Sequence, residues 1–294
     1  MSEKLEGSIV ALITPFLGDG SIDWESYEGL LEWHKVSGTN GVLITGTTGE
    51  APVISLEERR ELYRRAKKIL GDEVALIAGV GTNSTEGSVA NSKVALEEGA
   101  NYLLVVTPPY NKPNPAGLLR HYSEIAKLGG KIIVYNVPGR TGYNMPIDVF
   151  KMLFEEIEEV VALKEAAGSV DKLGQMKKAV PEAEVYSGDD HLYIPQLLVG
   201  ADGVISVLAN LIPQEMAKVH LKFKEGDNSY LVEFWQKYRE LIRLLFVETN
   251  PIPAKAALYL MGKIKTYEVR SPLAPASEKT LELLKVELEK LGLI

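Results

Sequence analysis

The chain has 294 residues, 46% hydrophobic and 24% charged, a balance that supports a large buried core and excludes a disordered or low-complexity chain. A formal net charge of −8 argues against a nucleic-acid binder, which needs a basic face, and no basic stripe with interleaved aromatics is present. The lack of cysteine rules out disulfides, thiolate metal sites and cysteine nucleophiles.

Near the N-terminus an apolar run over 8–17 is broken by Thr14-Pro15 and closed by Gly18-Asp19-Gly20. It reads as a first strand, because a membrane span takes about 20 apolar residues and a signal peptide prefers a basic start. A cytoplasmic protein is the expectation. Short β-branched runs then alternate with longer, charged, helically periodic stretches, the pattern of repeated βα units. Strands are expected over 8–13, 41–45, 74–80, 102–106, 132–136, 160–165, 184–187 and 203–207. A helix over 56–70 opens after Ser55 with Glu57 and Glu58, a cap and two acids at the end where the helix dipole favours them, and 85–98 reads similarly. Eight such units predict an α/β fold, a closed (β/α)8 TIM barrel whose site lies among the loops after the strand C-termini. An open doubly wound sheet is the alternative, but no GxGxxG turn follows the first strand.

After about Glu225 the alternation stops, and 230–247, 252–261 and 277–291 read as three helices. The chain thus divides into a barrel over 1–225 and a C-terminal helical domain over 226–294. Tyr230, Phe234, Trp235 and Leu241 have helical spacing and are expected to pack those helices together.

The strand ends carry the chemistry. Lys164 follows Val160-Val161-Ala162-Leu163, and Tyr135 follows Ile132-Ile133-Val134. An amine nucleophile needs its neutral form, which an apolar strand end favours by desolvation. Such an amine can add to a ketone to give a Schiff base if a nearby acid or base moves the protons. Taken alone, Lys164 is compatible with a solvated strand cap. The turn Gly46-Thr47-Thr48-Gly49-Glu50 offers hydroxyls and exposed amides to a carboxylate, although it lacks the lysine of a Walker loop and alone fits a plain tight turn. His34, His121, His191 and His220 lie far apart, form no HExxH pair, and read as structural rather than metal ligands.

Together these segments resemble the pyruvate-dependent class I aldolases of the dihydrodipicolinate synthase and N-acetylneuraminate lyase superfamily, over nearly the whole chain. The matching motifs are Gly46 to Glu50, Thr107-Pro108-Pro109-Tyr110-Asn111-Lys112-Pro113, Tyr135-Asn136-Val137-Pro138, Lys164-Glu165, Gly188-Asp189-Asp190 and Gly203-Val204-Ile205-Ser206. Arg140 in Val137-Pro138-Gly139-Arg140-Thr141-Gly142, and Glu248-Thr249-Asn250-Pro251-Ile252-Pro253, look like the synthase branch. An arginine there suits a second substrate with its own carboxylate, whereas a surface salt bridge is the plainer reading of Arg140.

The resemblance implies that Lys164 forms an imine with pyruvate, Tyr135 moves protons with Thr47 and Tyr110 in a hydroxyl relay, and Thr48 holds the pyruvate carboxylate. Arg140 would bind L-aspartate β-semialdehyde, with Gly188, Ile205 and Asn250 also lining the substrates. It further implies 4-hydroxy-tetrahydrodipicolinate as product, no metal or organic cofactor, and a homotetramer in which Tyr110 crosses a subunit interface. Many relatives read Pro-Tyr-Tyr-Asn where this chain has Pro108-Pro109-Tyr110-Asn111, and some lysine-inhibited ones carry histidines where it has Leu56 and Arg59, although Asn83 keeps a polar group expected there. Weak or absent inhibition by lysine is therefore expected. An aldolase of 2-keto-3-deoxy sugar acids or sialic acids, or a non-catalytic binding barrel, remains an alternative reading.

Overall fold

A computed structural model describes residues 4–294. Among the described residues eight parallel strands close into a barrel: β1 (Gly7–Ala11), β2 (Gly41–Ile44), β3 (Ala75–Gly79), β4 (Tyr102–Val106), β5 (Lys131–Asn136), β6 (Val160–Glu165), β7 (Glu184–Ser187) and β8 (Gly203–Ser206). Each pairs with its sequence neighbours, and β8 pairs back onto β1, which is the closed alternative to an open sheet. β1 ends at Ala11 rather than Ile13 because the Asn210 side chain takes over its ladder. Its amide donates to Ala11 O at 2.8 Å and its carbonyl accepts from Ile13 N at 3.1 Å.

Side chains alternate between two apolar layers. Ile9, Leu43, Ile77, Leu104, Ile133, Ala162 and Ile205 fill the barrel interior, while Val10, Val42, Leu76, Leu103, Val134 and Leu163 pack outward against the helices. The helix Leu56–Leu70 starts in a reciprocal capping box between Ser55 and Glu58, an arrangement that contributes about 1 kcal/mol.

The C-terminal helices Asn228–Leu244, Ile252–Leu260 and Glu278–Leu291 follow the last barrel helix, Pro213–Lys224. Leu241, Leu284 and Leu288 are fully buried among them, and Phe234 packs against Tyr238 in a tilted arrangement with centroids 4.9 Å apart. Trp235 departs from the expected packing. It is 39% exposed, its ring beneath Arg239, because residues 234 and 235 lie about 100° apart on the helix and only the first can face the bundle. Among the described residues no helix is long and apolar enough to cross a membrane.

His34 is buried in the helix Trp24–Val36, with Nδ1 3.0 Å from Thr39 Oγ1. Burial pulls its pKa down to about 3. The unfolded chain takes up this proton near pH 6.5 and the native chain does not until near 3, so His34 removes stability as pH falls through that window. In urea unfolding, a His34→Gln variant should gain on the parent by up to ~1.4 kcal/mol per pH unit below pH 6.5. A stability difference independent of pH would contradict this assignment.

Candidate active site

Tyr135 of β5 and Lys164 of β6 are register partners. Lys164 Nζ lies 4.4 Å from the centroid of the Tyr135 ring, and both residues are 6% exposed. This meeting depends on an irregularity in β6. The pairing shifts between Ile132↔Val160 and Ile133↔Ala162, so that Val161 is an extra residue on β6. Val160 packs in the outer layer, whereas both Val161 and Ala162 face the interior cluster. Unbroken alternation from Val160 would turn Lys164 outward; the bulge inverts the parity and turns it inward beside Tyr135.

Thr47, Tyr135, Val137 and Arg140 share a cavity of about 550 Å³ that extends past Thr45, Gly79 and Asn83 to Arg59. Lys164 Nζ sits over the ring of Tyr135, one of the residues lining this cavity, and Lys164, Thr48, Gly188, Ile205 and Asn250 are not themselves among the lining residues. Thr48 is buried and accepts a hydrogen bond from Asn250 Nδ2 at 2.9 Å, and Asn250 O accepts one from Arg140 Nη2 at 3.2 Å. Asn250 therefore ties a hydroxyl of the Gly46–Glu50 turn to the guanidinium. Among the described residues no carboxylate lies within 4.0 Å of Arg140, so its charge is not engaged in the salt bridge of the plainer reading.

Ile205 fills the interior layer below Tyr135. Gly188 follows β7, and a Cβ there would stand 2.5 Å from Ala166 Cβ, so the close approach of the two loops requires glycine. Tyr110 stands apart. The residue is 90% exposed and its backbone is left-handed, with φ 70°. The monomer does not bring it to Tyr135 and Thr47.

Two carboxyl groups lie at the strand ends, and Asp189 is the one that feels the Lys164 charge. Asp189 is held above the usual carboxylate range by burial, opposed by the Gly168 amide and the Lys164 charge. Glu165 is likewise raised by burial, opposed by the Asn136 amide, whose Nδ2 lies 3.0 Å from each carboxylate oxygen. Asn136 Oδ1 in turn accepts from Met145 N at 2.9 Å, fixing the loop after β5. An amine, a phenol, a clasped hydroxyl and a guanidinium with no carboxylate partner among the described residues together suit covalent chemistry on a ketone that carries a carboxylate.

Residues 4–291 match the Dihydrodipicolinate synthetase family. The chain belongs to that family. It is 44% identical to a 4-hydroxy-tetrahydrodipicolinate synthase of Thermotoga sp. (strain RQ2), covering 97% of this chain and 98% of the relative. A crystal structure of dihydrodipicolinate synthase from Thermotoga maritima superposes with a TM-score of 0.95 at 42% identity, covering 99% of this chain and all of that one, 100%. The chloride-inhibited dihydrodipicolinate synthase of Acinetobacter baumannii, complexed with pyruvate, superposes with a TM-score of 0.95 at 41% identity over 99% of this chain and 100% of the other.

Several supports of this family site were not foreseen from sequence. Thr45 has φ 52°, unusual for a β-branched residue, and its Oγ1 lies 2.5 Å from Tyr63 OH and 3.0 Å from Gly79 O. Glu50 and Lys255 form a fully buried ion pair at 2.5 Å. A lone lysine within the apolar run 252–260 was the one readable signal of the latter.

Proposed function

We propose that this chain condenses pyruvate with L-aspartate β-semialdehyde to 4-hydroxy-tetrahydrodipicolinate, a step toward diaminopimelate and lysine, through an imine on Lys164. The observation that carries the reading is the inward-turned Lys164 against Tyr135, beside a guanidinium with no carboxylate partner among the described residues. Family membership and the synthases named above support the reaction.

In this reading Lys164 Nζ adds to the ketone carbon of pyruvate, and loss of one water leaves the imine. Tyr135 protonates the departing oxygen and Thr47 passes protons onward. The imine acidifies the adjoining methyl group, whose deprotonation gives an enamine. The enamine carbon attacks the aldehyde, and the resulting alkoxide takes up a proton. The amine of the second substrate then adds to the imine carbon, closes the ring and displaces Lys164. Thr48, steadied by Asn250, holds the pyruvate carboxylate, and Arg140 holds that of the semialdehyde. The chemistry calls for no metal or organic cofactor. Gly188 and Ile205 support the site from behind the lining residues. A cytoplasmic setting fits a biosynthetic role.

Arg140→Ala should raise KM for the semialdehyde by roughly 10- to 100-fold, the loss of a charge-assisted contact, with KM for pyruvate unchanged in a coupled steady-state assay. Unchanged semialdehyde kinetics would remove the main support for this substrate over a sugar acid or sialic acid.

The exposed Tyr110 supports a homotetramer in which this residue completes the relay of a neighbouring subunit. Mixing inactive Tyr110→Phe and Lys164→Ala chains should then restore part of the activity, since some mixed sites contain both native residues. No recovery in verified mixed oligomers would contradict the exchange.

The cavity beyond Thr47 is walled by Ala51, Pro52, Arg59, Asn83 and Pro109. Arg59 is buried with its guanidinium spent on Gly79 O and Ala51 O, at 2.9 Å and 2.6 Å, so it sets a positive charge where the ammonium of lysine would approach. Titration with lysine should leave activity nearly intact, and half-inhibition at micromolar lysine would contradict this.

A further inference from the structure

The turn Gly46–Glu50 is bounded by two non-glycine residues in the left-handed region, Thr45 at φ 52° and Glu50 at φ 57°. Such backbone costs on the order of 1 kcal/mol or more per residue and persists only where its surroundings hold it. At Thr45 the hold comes from the barrel, through Tyr63 and Gly79 O. At Glu50 it comes from the far end of the chain. Glu50 Oε1 accepts from Lys255 Nζ at 2.5 Å, and Oε2 accepts from Arg270 N at 2.9 Å. Lys255 is 0% exposed, lies 3.9 Å over the Phe16 ring, and also donates to Glu268 O at 2.8 Å. The Arg270 side chain continues the clasp, binding Glu58 at the cap of the helix Leu56–Leu70 and Val53 O just after the turn.

A buried ion pair contributes little net stability, because desolvation of the two charges offsets most of their attraction. What this pair supplies is direction. It joins the end of the turn to the helix Ile252–Leu260, and Asn250, just before that helix, already holds Thr48 in the same turn.

We propose that Lys255 and Glu50 are positioning residues for the reaction, and that the C-terminal segment, by clasping Glu50 in its left-handed conformation, aims Thr48 at the carboxylate of the keto acid. The inference rests on the reading that this turn holds that carboxylate. Neither residue touches substrate. Their effect is on pyruvate capture, so it separates from effects on the second substrate and on the chemical steps.

The test is steady-state kinetics of the full-length enzyme with both substrates, beside thermal unfolding, for Glu50→Gln/Lys255→Met, for Glu50→Gln alone and for Thr48→Val. The double variant removes both charges together and should keep a Tm near that of the parent, while its KM for pyruvate rises about tenfold or more, with kcat and KM for the semialdehyde within about threefold. Glu50→Gln keeps the side-chain volume and should shift KM for pyruvate in the same direction, so it decides the matter if the double variant does not fold. A folded variant of either kind whose KM for pyruvate stays within about twofold of the parent overturns the proposal. Thr48→Val separates the two layers of the argument. If it raises KM for pyruvate while the Glu50 variants do not, the turn holds the carboxylate but the clasp does not aim it. If Thr48→Val also leaves KM for pyruvate unchanged, the carboxylate lies elsewhere and the proposal falls with that reading.

Discussion

Whether Lys164 faces the barrel interior is decided by one extra residue in β6. Side-chain direction in a strand has a strict period of two, so a parity error would place the amine among the outer helices, where no substrate could reach it. The bulge at Val161 costs β6 one regular pairing and in return sets Lys164 4.4 Å from the ring of its register partner, Tyr135. The rest of the site is built around that fixed pair. Burial raises Asp189, which feels the Lys164 charge, and on the next residue of β6 the Asn136 amide locks Glu165 to the loop that carries Arg140.

The barrel alone does not complete this arrangement. Its second loop is strained at both ends, and the C-terminal segment supplies the groups that settle it: Asn250 on Thr48, and Lys255 with the Arg270 amide on Glu50. The same Asn250 accepts from Arg140, so the hydroxyl assigned to one substrate and the guanidinium assigned to the other are steadied by a single residue. In a (β/α)8 barrel the βα loops are the variable part, and here an appended bundle removes much of their freedom. Catalysis by a pre-positioned amine depends on such rigidity, because near-attack geometry must be in place before the bond forms.

Much of the fold was legible in the residues themselves. The β-branched runs mark all eight strands to within a few residues, and the capping box at Ser55 and Glu58 marks the helix that follows β2. Lys164 and Tyr135 stood out because each ends an apolar run at the catalytic end of a strand. The bulge was not legible: Val160, Val161 and Ala162 are all apolar, and a buried strand shows no alternation from which parity could be read. Nor could spacing reveal the Glu50–Lys255 pair, whose members are far apart in sequence and meet only through the tertiary fold. Trp235 has helical spacing like its neighbours but lies on the outer side of its helix, a distinction that depends on where the partner helices lie. Tyr110 ends no apolar run, and in the single chain it lies in solvent, away from Tyr135 and Thr47.

The most direct test is borohydride reduction of the enzyme with pyruvate, followed by peptide mass mapping, and repeated with L-aspartate β-semialdehyde added before the reductant. The expected result is a pyruvate adduct on Lys164 that the semialdehyde discharges. Trapping at Lys164 without discharge would contradict the assigned second substrate, and an adduct on another lysine, or none, would contradict the imine on Lys164 from which every later step follows.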